Sequence, residues 1–114
     1  MITVKKGDTV TEGVDNMITA MLADYDRWVL SRDSDKEGWA NRSYDTKMGK
    51  KYIKITSENG GVVAFVVNTD QDSKFKLGDV LMAASFSAPA RNKARGNVLE
   101  GNFQIEWTGA LYLR

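Results

Sequence analysis

Arg91, Lys93 and Arg95 alternate along Ala88-Pro89-Ala90-Arg91-Asn92-Lys93-Ala94-Arg95-Gly96-Asn97. In an extended chain alternate residues project to one side, so these cations can track phosphates while Asn92 and Asn97 address sugars or bases. A second basic run holds Arg42, Lys47, Lys50, Lys51 and Lys54, with Tyr44 and Tyr52 interleaved; single-strand binding sites combine cations and stacking faces in this way. Together Arg91, Lys93, Arg95, Asn97, Lys47, Lys50 and Lys51 make a candidate face for a single-stranded nucleic acid or an acidic protein partner. The competing reading is charged loops shaped by Pro89 and Gly96, and a formal net charge of only +1 favours it, because dedicated nucleic-acid binders carry a strong basic excess. The charge is nevertheless uneven: residues 1–40 hold five basic and eight acidic side chains, or −3, and residues 41–114 hold eleven and seven, or +4. Such asymmetry can steer a polyanion to one end or support self-association.

Asp33-Ser34-Asp35-Lys36-Glu37-Gly38 offers different chemistry. Acidic side chains at alternate positions with glycine sixth match the first half of an EF-hand calcium loop. Asp33, Asp35 and Glu37 are therefore a minority candidate for calcium, the one cofactor the sequence suggests. Tyr44 stands twelfth, where the bidentate glutamate belongs, so weak binding at best is expected and a solvated acidic helix exit is the plainer reading.

Enzyme chemistry has little to use. The chain contains no histidine and no cysteine, which removes the commonest general base and the thiolate nucleophile. No residue combination identifies serine–lysine or paired-carboxylate catalysis, and Gly60-Gly61 lacks the helix and lysine–serine pair of a phosphate loop. No catalytic residue is assigned, and a hydrolase ranks behind a binding or assembly role.

The elements that position these groups follow from periodicity. Val10, Val14, Met17, Ile18, Met21, Leu22, Tyr25, Trp28 and Val29 recur at spacings of three and four, predicting a helix over 10–30. Thr9 and Glu12 suit a capping box at its start, whereas Gly13 opposes a helix there by about 1 kcal/mol. Residues 31–49 read as a connection with short ordered pieces. Residues 51–56 and 62–67 read as strands joined by Ser57-Glu58-Asn59-Gly60-Gly61, with Asn-Gly supplying positive φ angles. Further strands are expected at 80–83 and 102–107, the latter turning Phe103, Ile105 and Trp107 toward the helix. Trp28 and Trp107 read as core, and Trp39, in a polar connection, as a cover for the open end of the sheet. Burying the helix face predicts that Leu22→Ala costs about 2–5 kcal/mol.

The fold class is thus α+β: one domain over 1–114, with one N-terminal amphipathic helix on a four- or five-stranded, mostly antiparallel sheet, closure into a small barrel being the variant. The longest apolar run, 62–67, is too short to span a membrane. No secretory pattern opens the chain, so a cytoplasmic protein is expected.

Lys76-Leu77-Gly78-Asp79-Val80-Leu81, Ala84-Ser85, Ala88-Pro89-Ala90, Ala94-Arg95-Gly96-Asn97-Val98 and Trp107-Thr108-Gly109 with Leu111-Tyr112-Leu113 resemble the ending of small uncharacterised tailed-bacteriophage proteins. The resemblance covers 75–114. It implies a phage or marine-virus origin, a place in the infected host's cytoplasm, and no catalytic residue. Ala94-Arg95-Gly96-Asn97-Val98-Leu99 is also similar to the second motif of Sm-like RNA-binding proteins, which implies a ring oligomer on uridine-rich RNA and carries over Arg95, Gly96 and Asn68. Phe65-Val66-Val67-Asn68 departs from the first Sm motif, which has an aspartate and a Met-Asn ending. The leading expectation is a phage-type accessory protein binding through its basic face; the alternative is a structural or assembly subunit, a homo-oligomer joined through Trp39 and the C-terminal strand, with calcium at the acidic loop as its candidate support.

Overall fold

The three-and-four spacing forms one helix, α1 (Val10–Ser31). Thr9 caps it, its Oγ1 accepting the Glu12 N–H at 3.1 Å, which satisfies one of the orphan donors of the first turn. The computed structural model describes residues 2–31 and 42–109. Their remaining elements are β1 (Ile2–Val4), β2 (Tyr44–Met48), β3 (Tyr52–Ser57), β4 (Val62–Val67), β5 (Val80–Leu81) and β6 (Phe103–Ile105).

The helix packs on a four-stranded antiparallel sheet of order β2-β3-β4-β5, beside a separate antiparallel pair, β1-β6. The expected α+β architecture is present, but the barrel is not. Its closure fails because β6 takes β1 as its partner and β5 is only two residues long, so among the described residues nothing bridges the ends of the larger sheet.

Both faces of that sheet are covered. Against the helix, Met17, Met21 and Val14 pack with Ile53, Ile55, Val66 and Ile105. On the opposite face Phe65, Val67, Phe75 and Leu81 form a second apolar cluster. This arrangement accounts for the unbroken Val62-Val63-Ala64-Phe65-Val66-Val67 run, since a strand buried on both sides has no polar face to alternate with.

Several expectations change in detail. β1 precedes the helix and is too short for a period of two to show. β2 lies within the stretch read as a connection; four of its five residues are exposed, so an edge strand without a buried face leaves no apolar alternation. The strands expected at 80–83 and 102–107 shorten to Val80–Leu81 and Phe103–Ile105. In the β3–β4 turn Gly60 alone takes a positive φ, 84°, while the Asn59 Oδ1 accepts the Gly61 N–H at 3.0 Å. Of the helix residues aimed at β6, Met17 and Met21 are fully buried with Ile105, and Ile18 and Phe103 pack against them. Leu22 is half-buried and belongs to neither cluster.

Gly13, the residue that opposed the helix, has its reason here. A Cβ at that position would lie 2.6 Å from both the Val98 Cβ and the Val98 carbonyl oxygen. The neighbouring Gly7 donates its N–H to that same carbonyl at 2.9 Å. Helix propensity alone says that Gly13→Ala stabilises by about 1 kcal/mol; overpacking against backbone reverses the sign, with an expected net loss of about 1–3 kcal/mol. Urea denaturation of the variant checks it, and a raised midpoint would contradict the packing.

Candidate nucleic-acid interface

The register of the sheet sets a row of side chains on the face away from the helix. Lys47 lies opposite Lys54, Lys54 opposite Phe65, and Phe65 opposite Leu81. The second apolar cluster therefore gives way to two lysines at the β2 end of the row. Like charges directly opposite one another on adjacent strands are destabilising. Beyond them, Lys50 and Lys51 form the two-residue tip of the β2–β3 hairpin, closed by the Gly49 N–H to the Tyr52 carbonyl at 2.9 Å.

A second hairpin faces this tip. The Ala90 N–H donates to Met82 O at 2.7 Å and the Ala84 N–H to Ala88 O at 3.0 Å, leaving Phe86 at the bend with 64% of its surface exposed. The Lys54 ammonium sits 3.9 Å from the Phe86 ring centroid. Between the hairpins runs an open groove of about 260 Å³, lined by Lys47, Lys50, Lys51 and Lys54, by Tyr52 and Phe65, and by Ser87 from the far wall. Tyr52 meets Phe65 edge to face, with centroids 5.9 Å apart. Among the described residues no acidic side chain lines the groove and none of its four lysines has an ion-pair partner.

Arg91 borders this groove without joining its free charge. An adjoining hollow of about 380 Å³ shares Lys51 and Tyr52 with the groove and adds Asp72 and Arg91. The Arg91 guanidinium holds Asp72 through two 2.9 Å hydrogen bonds and donates to the Tyr52 hydroxyl at 2.6 Å. Asp72 also accepts the Lys74 and Phe75 N–H groups at 2.8 and 2.9 Å. Arg91 and then these two amides hold the Asp72 carboxyl well below the usual carboxylate range; Asp72, followed by Tyr52, raises the Arg91 pKa. The charge of Arg91 is thus compensated, and its contribution is to fix the orientation of Tyr52 at the junction of the two hollows.

Comparison with known proteins gives no further guide. No family model, curated protein or solved structure matches the chain.

The other basic-loop residues point elsewhere. Arg95 and Gly96 bond across to Val80, the Arg95 N–H to Val80 O at 2.7 Å and the Val80 N–H to Gly96 O at 2.9 Å, so this stretch runs beside β5 rather than forming a free extended stripe. Arg95 is partly buried, its Nη2 donating to Asn92 Oδ1 at 3.2 Å. Asn97 is 5% exposed. Its amide donates to Asp79 at 2.9 Å and to Leu77 O at 3.0 Å, while its Oδ1 accepts the Leu99 and Glu100 N–H groups. That side chain organises a turn and is not presented to a base. Lys93 is exposed at the surface.

The structure therefore gathers Lys47, Lys50 and Lys51, places Arg91 at their border, and turns Arg95 and Asn97 to internal contacts. It adds Lys54 and Phe86. Strand alternation puts Lys54 beside Lys47, but only the register reveals it, and nothing in Ser85-Phe86-Ser87 distinguishes an exposed ring from a buried one.

Trp28 and Trp107 are half-buried rather than core. With Tyr25 they form an aromatic corner, Trp28 lying 5.0 Å and Tyr25 5.3 Å from Trp107. The Arg42 guanidinium sits 4.9 Å from the Trp107 ring and pairs with Glu58 at 3.2 Å. Asp33, Asp35, Glu37 and Trp39 lie outside the described residues, as do Leu111, Tyr112 and Leu113. Among the described residues no three acidic side chains gather at metal-binding distance, and no helix is long and apolar enough to cross a membrane.

Proposed function

We propose that this chain binds single-stranded nucleic acid in the groove between its two hairpins, as a non-enzymatic accessory protein of the phage type that residues 75–114 resemble. One observation carries the reading: Lys47, Lys50, Lys51 and Lys54 surround aromatic surface with no compensating carboxylate among the described residues. Holding Lys47 against Lys54 costs stability, and a bound polyanion offsets that cost by releasing the counterions condensed on its phosphates. Phe86 and Tyr52 supply faces on which bases stack without regard to sequence. An unpaired strand is the fitting form, because bases in a duplex are already stacked and paired.

Lysine acetylation followed by mass spectrometry tests this directly. An oligonucleotide in excess is expected to protect Lys47, Lys50, Lys51 and Lys54, leaving Lys5, Lys6 and Lys93 reactive. Equal protection of all lysines would reduce the interaction to non-specific charge, and protection by an acidic polypeptide but by neither DNA nor RNA would replace this reading with a protein partner.

A further inference from the structure

We infer that the free edge of β2 pairs with β2 of a second copy of this chain, antiparallel and centred on Thr46. Among the described residues the strand ends the four-stranded sheet and no further strand pairs with it, and Asp45, Thr46, Lys47 and Met48 are all exposed, Met48 at 60%. Exposed edges of this kind present unpaired N–H and C=O groups to any strand that fits.

Hydrogen-bond parity decides which groups are free. The Gly49 N–H bonds Tyr52 O, and the β2–β3 register is regular from Tyr44 to Met48. In an antiparallel ladder alternate residues direct their backbone groups to the partner, so Lys47 and Asp45 address β3 while Tyr44, Thr46 and Met48 direct theirs outward. A two-fold pairing must oppose outward residues to outward residues.

Charge then selects the register. Centring on Thr46 opposes Asp45 to Lys47 of the partner at both ends, and Tyr44 to Met48 of the partner beyond them, so all five residues of the strand pair. Slipping the axis to Asp45 would oppose two aspartates, and slipping it to Lys47 would oppose two lysines. Opposite charges across strands are favourable and like charges unfavourable, so Tyr44-Asp45-Thr46-Lys47-Met48 is complementary to itself in one register only. The Asp45–Lys47 pairs fall at the non-hydrogen-bonded positions, where side chains lie closer.

The result is a two-fold dimer with one continuous eight-stranded sheet. This inference does not rest on the nucleic-acid reading. Pairing would engage Lys47 and leave Lys50, Lys51 and Lys54 to each groove, with both grooves on the same face of the joined sheet, so the four-lysine groove is that of the monomer, which prevails at low protein concentration.

The chain has no cysteine, so a single introduced thiol reports contact without interference. At the axis Thr46 faces itself in a hydrogen-bonded pair, where Cα atoms are about 5.5 Å apart, inside the roughly 4.4–6.8 Å that a disulfide spans. Mild oxidation of Thr46→Cys, without nucleic acid, is expected to give a covalent dimer, with Gln104→Cys on β6 as an exposed control that does not cross-link. Sedimentation of the unmodified protein should show its mass rise from 12.7 kDa toward twice that value with concentration. Asp45→Lys and Lys47→Asp should each stay monomeric and dimerise when mixed, because each then supplies the charges the other lacks. A native chain monomeric at millimolar concentration, a Thr46→Cys variant no more reactive than the control, or an Asp45→Lys variant that self-associates as well as the native chain would each overturn the proposal, and circular dichroism confirms that the variants compared are folded.

Discussion

Met21→Ala is expected to cost about 2–5 kcal/mol of stability, through lost transfer energy and the cavity left behind. Met21 is fully buried, between the helix and the sheet face that carries Ile53, Ile55 and Val66. For a domain of this size such a loss lowers Tm by on the order of 10 °C and consumes a large share of the roughly 5–15 kcal/mol that holds a typical domain folded. Leu22→Ala should do much less, because Leu22 is half-buried and outside both clusters. Thermal denaturation of the two variants separates them. Equal Tm values, or the larger drop in Leu22→Ala, would mean that the helix is rotated about its axis from the position described.

That contrast marks what periodicity can and cannot convey. The spacing of Val14, Met17, Ile18 and Met21 identified the helix and its inward side. It could not rank residues across that side, since Met21 and Leu22, about 100° apart on the helical wheel, fall at opposite margins of one apolar stripe and only the curvature and position of the sheet decide which is covered. β4 was legible as a strand because it is apolar throughout. β2 was not, because an exposed edge strand carries no apolar alternation. Gly13 was a contradiction at the level of propensity and is resolved by Val98, which lies 85 positions along the chain and touches it only in the folded state.

Replacing Lys47, Lys50, Lys51 and Lys54 together with glutamine is the second large effect. If all four contact phosphates, loss of their counterion release should weaken binding at low salt by roughly a thousandfold or more. Stability should change little. Removing the Lys47–Lys54 opposition relieves about 0.2–1 kcal/mol of cross-strand repulsion, losing the Lys54–Phe86 contact costs about 0.5–1 kcal/mol, and none of the four lysines has an ion-pair partner to lose among the described residues. Binding that collapses while Tm holds is the signature of charges retained for a ligand rather than for the fold. A variant that unfolds would instead give these lysines a structural role.

The basic character of the site was readable, its composition only partly. Lys47, Lys50 and Lys51 fall close together because they flank one hairpin, a local relation the sequence displays. Arg91 is brought to the same border by the fold, yet Asp72 compensates it, and that pairing spans 19 positions. Nothing in Gly96-Asn97-Val98 shows that four hydrogen bonds hold Asn97 inside a turn, away from any base. Phe86 became part of the site only through Lys54, 32 positions earlier, and through a hairpin whose short alanine-rich arms give little strand signal.

The most direct test of the lysine groove is the salt dependence of binding, read by fluorescence anisotropy of labelled single-stranded DNA and RNA oligomers. Each phosphate contact on a single strand contributes a logarithmic slope of about −0.7, so four give about −2.8 and roughly a 50-fold loss of affinity between about 50 and 200 mM salt. The account predicts that slope for the native chain and a nearly flat one for the quadruple glutamine variant. No binding at low salt, or a slope that the four substitutions leave unchanged, would contradict it.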